Sequence, residues 1–202
     1  MKLIDDFLNQ TTMYRLILYY LIFLVGVGLF IQGINLIFST TLLLIFCWVT
    51  NKVFAKVFNV TTNLESVYIT ALILALIIAP IKTAGNLPFL FWASMWAIAS
   101  KFIFAYKGKH LFNPVALGVL IPSVFLGFSA NWWVGTLPML VPVLLGGLLI
   151  VRKIRRTDMV LTFLGVAMLT ILGLNFFSGT DVFSIVKKVF VESPILFFSF
   201  VM

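Results

Sequence analysis

Ala71-Leu72-Ile73-Leu74-Ala75-Leu76-Ile77-Ile78 is apolar at every position, and Ala79-Pro80 closes the run. A membrane barrel strand alternates lipid-facing apolar residues with lumen-facing polar ones, so this stretch excludes a β-barrel. It reads as part of a helix surrounded by apolar matter. The rest of the chain agrees: of 202 residues, 62% are apolar, 22 are Phe, and only 10% are charged. A soluble domain carries roughly a quarter of charged residues, more than twice what is present here. The expected fold is an all-α membrane protein. At roughly 25 residues per span and loop, the length accommodates about eight transmembrane helices.

Apolar runs place these spans at 16–31, 34–49, 67–81, 87–105, 114–128, 137–151, 159–177 and 194–202. With the N-terminus in the cytoplasm, ten cations fall inside: Lys2, Arg15, Lys52, Lys56, Lys107, Lys109, Arg152, Lys153, Arg155 and Arg156. Lys101, near the end of the fourth span, is expected to snorkel the same way. Only Lys82, Lys187 and Lys188 fall outside. The asymmetry obeys the positive-inside rule, so the net charge of +8 sets topology and is no nucleic-acid footprint. Residues 1–13 contain Asp5 and Asp6, and no small-x-small cleavage site follows the first apolar run, which argues against a signal peptide and for an interfacial N-terminal helix. Residues 182–191 read as a similar helix on the outer face.

Much chemistry is excluded by counting. One cysteine, Cys47, allows no internal disulfide or thiolate cluster. One histidine, His110, allows no paired-His zinc site. Gly108-Lys109-His110 lacks both the leading glycine and the Ser/Thr of a phosphate loop, and Gly26-Val27-Gly28 meets Ile31 where a dinucleotide fingerprint needs glycine.

The third, fifth and sixth spans are short: a helix of about 15 residues rises about 22 Å against a hydrocarbon core near 30 Å. Flanking polar residues dipping into the interface would explain one short span, and several together point to broken helices lining a cavity. Glu65-Ser66 before the third span and Glu192-Ser193 before the eighth suggest an inverted repeat offset by five spans. On that reading, 14–128 is a first five-helix repeat and 129–202 a second, incomplete one, two spans short of ten.

The densest polar segment is Ser100-Lys101-Phe102-Ile103-Phe104-Ala105-Tyr106-Lys107-Gly108-Lys109-His110-Leu111-Phe112-Asn113-Pro114. Asn at an N-cap followed by Pro at the first helical position signals a helix start. Such a start offers unpaired N–H groups and positive potential, and Lys107, Lys109 and His110 precede it. This set of groups suits an anionic ligand; on spacing alone, a capped helix with a basic cytoplasmic loop is the plainer account.

The same stretch, with Val115-Ala116 after it, resembles the Lys-His-hydrophobic-Phe-Asn-Pro-Ala signature of the NqrB/RnfD family of membrane electron-transfer subunits. Asn63-Leu64-Glu65-Ser66 with the apolar run to Pro80 looks like that family's third helix, and Gly146-Gly147 before Arg152 resembles its sixth. The resemblance implies ten helices in two inverted repeats, a bound flavin (FMN or riboflavin), and electron transfer across or into the membrane, in some members coupled to Na⁺ or H⁺ movement. It implies partners too: other redox subunits, or a cytoplasmic flavin reductase domain. The family's covalent FMN sits on a Thr in a Ser-Gly-Ala-Thr-type motif between the fifth and sixth spans. Here that connection reads Ser129-Ala130-Asn131-Trp132-Trp133-Val134-Gly135-Thr136, so a non-covalent flavin is expected.

The residues expected to bind it are Lys109, His110 and Asn113, which would stabilise a reduced, anionic flavin, with Ser66 and Thr70 donating hydrogen bonds across the cavity. No catalytic residue of the chain's own and no metal ligand are expected. The expected location is the bacterial inner membrane. The competing readings are a channel or permease for a small solute on a urea-transporter-like scaffold, and a small scaffold subunit without a cofactor.

Overall fold

The computed structural model describes residues 10–106, 109–155, 157–176 and 195–201. Most of the interfacial segment at 1–13, the one at 182–191 and the Glu192-Ser193 pair lie outside the described residues. The side chain of Lys109 is also outside the description, as are Lys107 and Gly108.

Eight α-helices are delimited among the described residues: α1 Met13–Gln32, α2 Asn35–Phe58, α3 Leu64–Ile77, α4 Leu87–Ile103, α5 Pro114–Leu126, α6 Leu137–Ile154, α7 Thr157–Phe176 and α8 Ile195–Val201. The all-helical expectation holds, apart from one two-residue hairpin. Four helices, α1, α2, α6 and α7, are long and apolar enough to cross a membrane; α3, α4 and α5 are apolar but shorter.

The chain forms two compact units. One comprises Leu21–Asn131; the other combines Met1–Tyr20 with Trp132–Met202. In the first, α4 packs along α5, and α2 packs against both α3 and α4. The α4–α5 approach is close because Gly118 of α5 faces Ala93 and Ala97 of α4. Small residues let helix backbones come together where lipid supplies no hydrophobic drive. Pro122 leaves the Gly118 carbonyl without its intrahelical donor, and Gly127 ends α5 at φ 68°, a left-handed cap that glycine adopts without cost.

The inner face of α2 is unusual for a buried helix face. Ser39, Thr40, Cys47, Thr50 and Asn51 are buried, whereas Ile37, Phe38 and Ile45 are exposed. A soluble helix orients the other way. The buried hydroxyls are satisfied locally: Ser39 Oγ donates to Asn35 O at 2.9 Å and Thr40 Oγ1 to Leu36 O at 2.7 Å. Asn51 Nδ2 donates to Thr62 Oγ1 at 2.8 Å.

Two boundaries differ most from expectation. The second span was expected to stop at Val49, before Asn51 and Lys52, but α2 runs on to Phe58 and ends at Asn59 in a left-handed cap, φ 51°. No Gly or Pro interrupts residues 50–58, and the cations are accommodated along the helix. Lys52 lies over the Trp48 ring, 4.0 Å from its centroid, and Phe54 and Phe58 meet Phe102 with ring centroids 5.7 Å apart. The third span, expected to reach Ile81, stops as helix at Ile77. Pro80 explains the break, since the residue before a proline disfavours helix. The non-helical segment that follows is nonetheless buried at Ile78 and Ile81, and Ser39 Oγ accepts from the Ile81 backbone N–H at 2.7 Å. Non-helical backbone at depth must find such partners inside the protein.

In the other unit, α8 packs on α6, α7 and the 3₁₀ turn Trp133–Gly135. Gly146 of α6 receives the Tyr20 ring, whose hydroxyl donates to Val143 O at 3.1 Å, and Gly147 receives Phe200. Helix α7 exposes apolar side chains around its circumference, among them Leu161, Leu169 and Leu174, and none of its residues from 157 to 174 is buried. In water such a surface would be an aggregation site; in lipid it is at home. These helices fit an integral membrane protein.

Candidate functional site

The polar groups singled out in the sequence collect around the start of α3, the end of α4 and the link into α5. Helix α3 opens at Asn63, whose side chain accepts from the Glu65 N–H at 2.9 Å, an N-cap. That cap fixes the first turn and with it Ser66. Helix α4 was expected to continue through Ala105, but it ends at Ile103, with the Phe104 N–H bonded to Ser100 O at 2.9 Å. Two short strands follow, β1 Ala105–Tyr106 and β2 Lys109–His110, paired antiparallel with Ala105 opposite His110. The Leu111 N–H donates to Phe104 O at 3.0 Å, and Phe104 packs edge-on against Phe112 at 5.7 Å. The hairpin turns the chain back on itself, so His110 lies beside the last turn of α4.

Asn113 then starts α5 as its sequence signal indicated. Its Oδ1 accepts from the Val115 N–H at 2.9 Å and the Ala116 N–H at 3.3 Å, and Pro114 occupies the first turn. The Asn113 carbonyl oxygen is therefore committed to its own helix.

Ser66 is engaged differently from expectation. Its partner is Lys101, expected to snorkel toward the cytoplasmic interface. Instead the Lys101 ammonium donates to Ser66 O at 2.8 Å and to Ser66 Oγ at 3.0 Å. Lys101 is half-buried, and no carboxylate lies within ion-pair distance of it among the described residues. The physical reason is reach: a lysine stem on the last turn of α4 can cross to the adjacent start of α3, where a carbonyl and a hydroxyl replace two water contacts. Thr70, expected to donate across a cavity, donates back to Ser66 O at 2.9 Å, the usual fate of a hydroxyl within a helix. The structure thus joins Ser66, Thr70 and Lys101 directly. It sets His110 against the same turn of α4 through a hydrogen bond to the Lys101 backbone. It shows no such bond from Asn113 to the others.

Lys101 is the member of this cluster that the sequence reading underrated. The available signal was its place as the only charge well inside an apolar run, a default mark of function within membranes.

His110 has an imidazole held below its ordinary value near 6.5, first by partial burial and next by the Lys101 charge, with the hydrogen bond to the Lys101 backbone opposing both. A folded-state value below the unfolded one means that the unfolded chain takes up the proton first as pH falls. Stability is therefore expected to decline on acidification below about 6.5. Because His110 is exposed, screening keeps the effect small. Thermal melting of the native chain and of His110→Gln between pH 7.5 and 5 checks this: the substitution should flatten the His110 part of the slope, and identical slopes would refute it.

Compared with protein-family models, curated proteins and solved structures, the chain matches none.

Proposed function

We propose that the chain is a membrane-embedded electron-transfer module that holds a flavin, FMN or riboflavin, without a covalent bond. Electrons pass through it across or into the membrane; coupling to Na⁺ or H⁺ movement, a property of some members of the family it resembles, is compatible with this role. The observation that carries this reading is the gathering of Ser66, Lys101 and His110 at one end of an otherwise apolar helical unit, on the stretch whose sequence resembles the NqrB/RnfD signature. Cationic donors backed by helix termini suit the electron-rich pyrimidine end or the phosphate of a flavin, so the residues fit the group. The flavin supplies the redox chemistry; the protein supplies binding, orientation and potential. In this role Lys101 compensates negative charge, His110 adds to it on taking up a proton, Ser66 orients the Lys101 ammonium, and Asn113 fixes the α5 start beside the hairpin.

The corresponding topology has the N-terminus inside the bacterial inner membrane. The basic loops face the cytoplasm, where other redox subunits or a flavin reductase domain would deliver electrons.

Purification in detergent, followed by absorbance before and after acid extraction, tests the reading: released yellow colour is expected. Lys109→Ala and Asn113→Ala should lower flavin occupancy. A colourless, folded preparation that moves a neutral solute into liposomes would sink it. That outcome favours the second reading, a small-solute permease, for which the buried break after α3 is the relevant feature.

A further inference from the structure

We propose that Lys101 and Ser66 form a binding site for a phosphate group, supplied either by an anionic lipid headgroup or by a ligand such as FMN. Three features argue for it. An ammonium has three N–H donors, and two are taken by Ser66 O and Ser66 Oγ. The third has no protein acceptor among the described residues, and Lys101 is only half-buried, so an arriving anion can reach it.

Second, the charge is uncompensated. Of the groups facing Lys101, α2 contributes the Cys47 thiol, α3 contributes Ser66, and the hairpin contributes His110. A cation in a poorly hydrated place without a carboxylate strongly favours an external anion. Ser66 Oγ accepts from Lys101, and its own hydrogen is donated to no described residue. The lysine ammonium and the serine hydroxyl thus offer donors from two elements, and His110, whose single neutral N–H is engaged by the Lys101 backbone, adds a third donor once protonated; such a set suits a tetrahedral anion with several oxygens.

Third, the residues next to it in the chain form an apolar and aromatic rim at the end of a helix. Ile103, Tyr106, Leu111 and Phe112 around it are exposed, the amphipathic rim found where acyl chains meet polar heads. Basic pockets at the ends of membrane helices take lipid phosphates by the same chemistry.

The FMN source rests on the flavin reading; the lipid source does not. The test uses the full chain in nanodiscs of phosphatidylcholine, with or without phosphatidylglycerol, and titrates FMN and riboflavin. Phosphatidylglycerol should raise the melting midpoint, or FMN should bind about tenfold tighter than riboflavin, the scale of one charge-assisted hydrogen bond. Lys101→Gln should abolish whichever response occurs and Lys101→Arg should retain it; melting of both variants in phosphatidylcholine alone separates binding from folding.

A phosphatidylglycerol response lost in Lys101→Gln, with no flavin bound, upholds the site and ends the flavin reading. Flavins bound without preference for phosphate, with no lipid response, leave the flavin reading and overturn the site. A phosphate response unchanged in Lys101→Gln overturns it as well.

Discussion

Gly118→Val lowers the melting midpoint by on the order of 10 °C and reduces the folded yield. A Cβ on Gly118 would stand 2.6 Å from Ala97 Cβ, 2.7 Å from the Ala93 carbonyl oxygen and 3.0 Å from Ala97 Cα. Two of these three neighbours are backbone, which cannot turn away as a long side chain can. Relief requires α4 and α5 to separate, and theirs is the most extensive helix pairing in the Leu21–Asn131 unit. Overpacking a tight contact costs typically 1–3 kcal/mol, and valine's branched side chain places it at the upper end. About 3 kcal/mol corresponds to roughly 6–12 °C in a chain of this size. Alanine at the same position regains up to about 1 kcal/mol of helix propensity, so Gly118→Ala should be milder but still destabilising. Gly26→Ala is the control. Nothing lies within 4 Å of its Cβ position, on helix α1, so this change should be neutral or slightly stabilising. Equal midpoints for Gly118→Val and the native chain would show that the close approach does not hold.

Ser39→Ala removes the acceptor of the Ile81 N–H while leaving that N–H buried. An orphaned buried donor costs about 1–3 kcal/mol, and more where water cannot enter to replace the partner. The substitution also deletes the bond from Ser39 Oγ to Asn35 O, but that carbonyl keeps its helical role and loses little. The damage should therefore be local to the segment after α3. Hydrogen exchange at the Ile81 amide is expected to accelerate before the midpoint falls, and Ser39→Thr, which restores an oxygen, should recover protection. Unchanged exchange at Ile81 would remove Ser39 from this role.

The helices were readable because apolar runs and their punctuation are local. Asn113-Pro114 marked the start of α5 to the residue, and Pro80 marked the end of the third run, although the helix stops three residues earlier. Charge misled at two places. Asn51, Lys52 and Lys56 suggested a loop, yet the helix continued, with Lys52 lying over Trp48 and Phe54 stacked on Phe58 along its side. Lys101 suggested snorkelling, and nothing local could reveal that the first turn of α3, 35 residues earlier, would offer it two oxygens. The hairpin between α4 and α5 was equally hidden: two residues per strand leave no alternation to detect. Of the candidate site, the segments and residue types were legible, while the pairing of Ser66 with Lys101 arises only from packing.

The brevity of α3 has an electrical consequence. Its 14 residues rise about 21 Å, about two-thirds of a 30 Å hydrocarbon core. In a bilayer, the apolar and non-helical residues 78–81 continue from its C-terminal end, so the last carbonyls of α3 would lie within the hydrocarbon rather than at its edge. The half-negative end of the helix dipole would then sit in a medium that screens it little, favouring a nearby cation and opposing an anion.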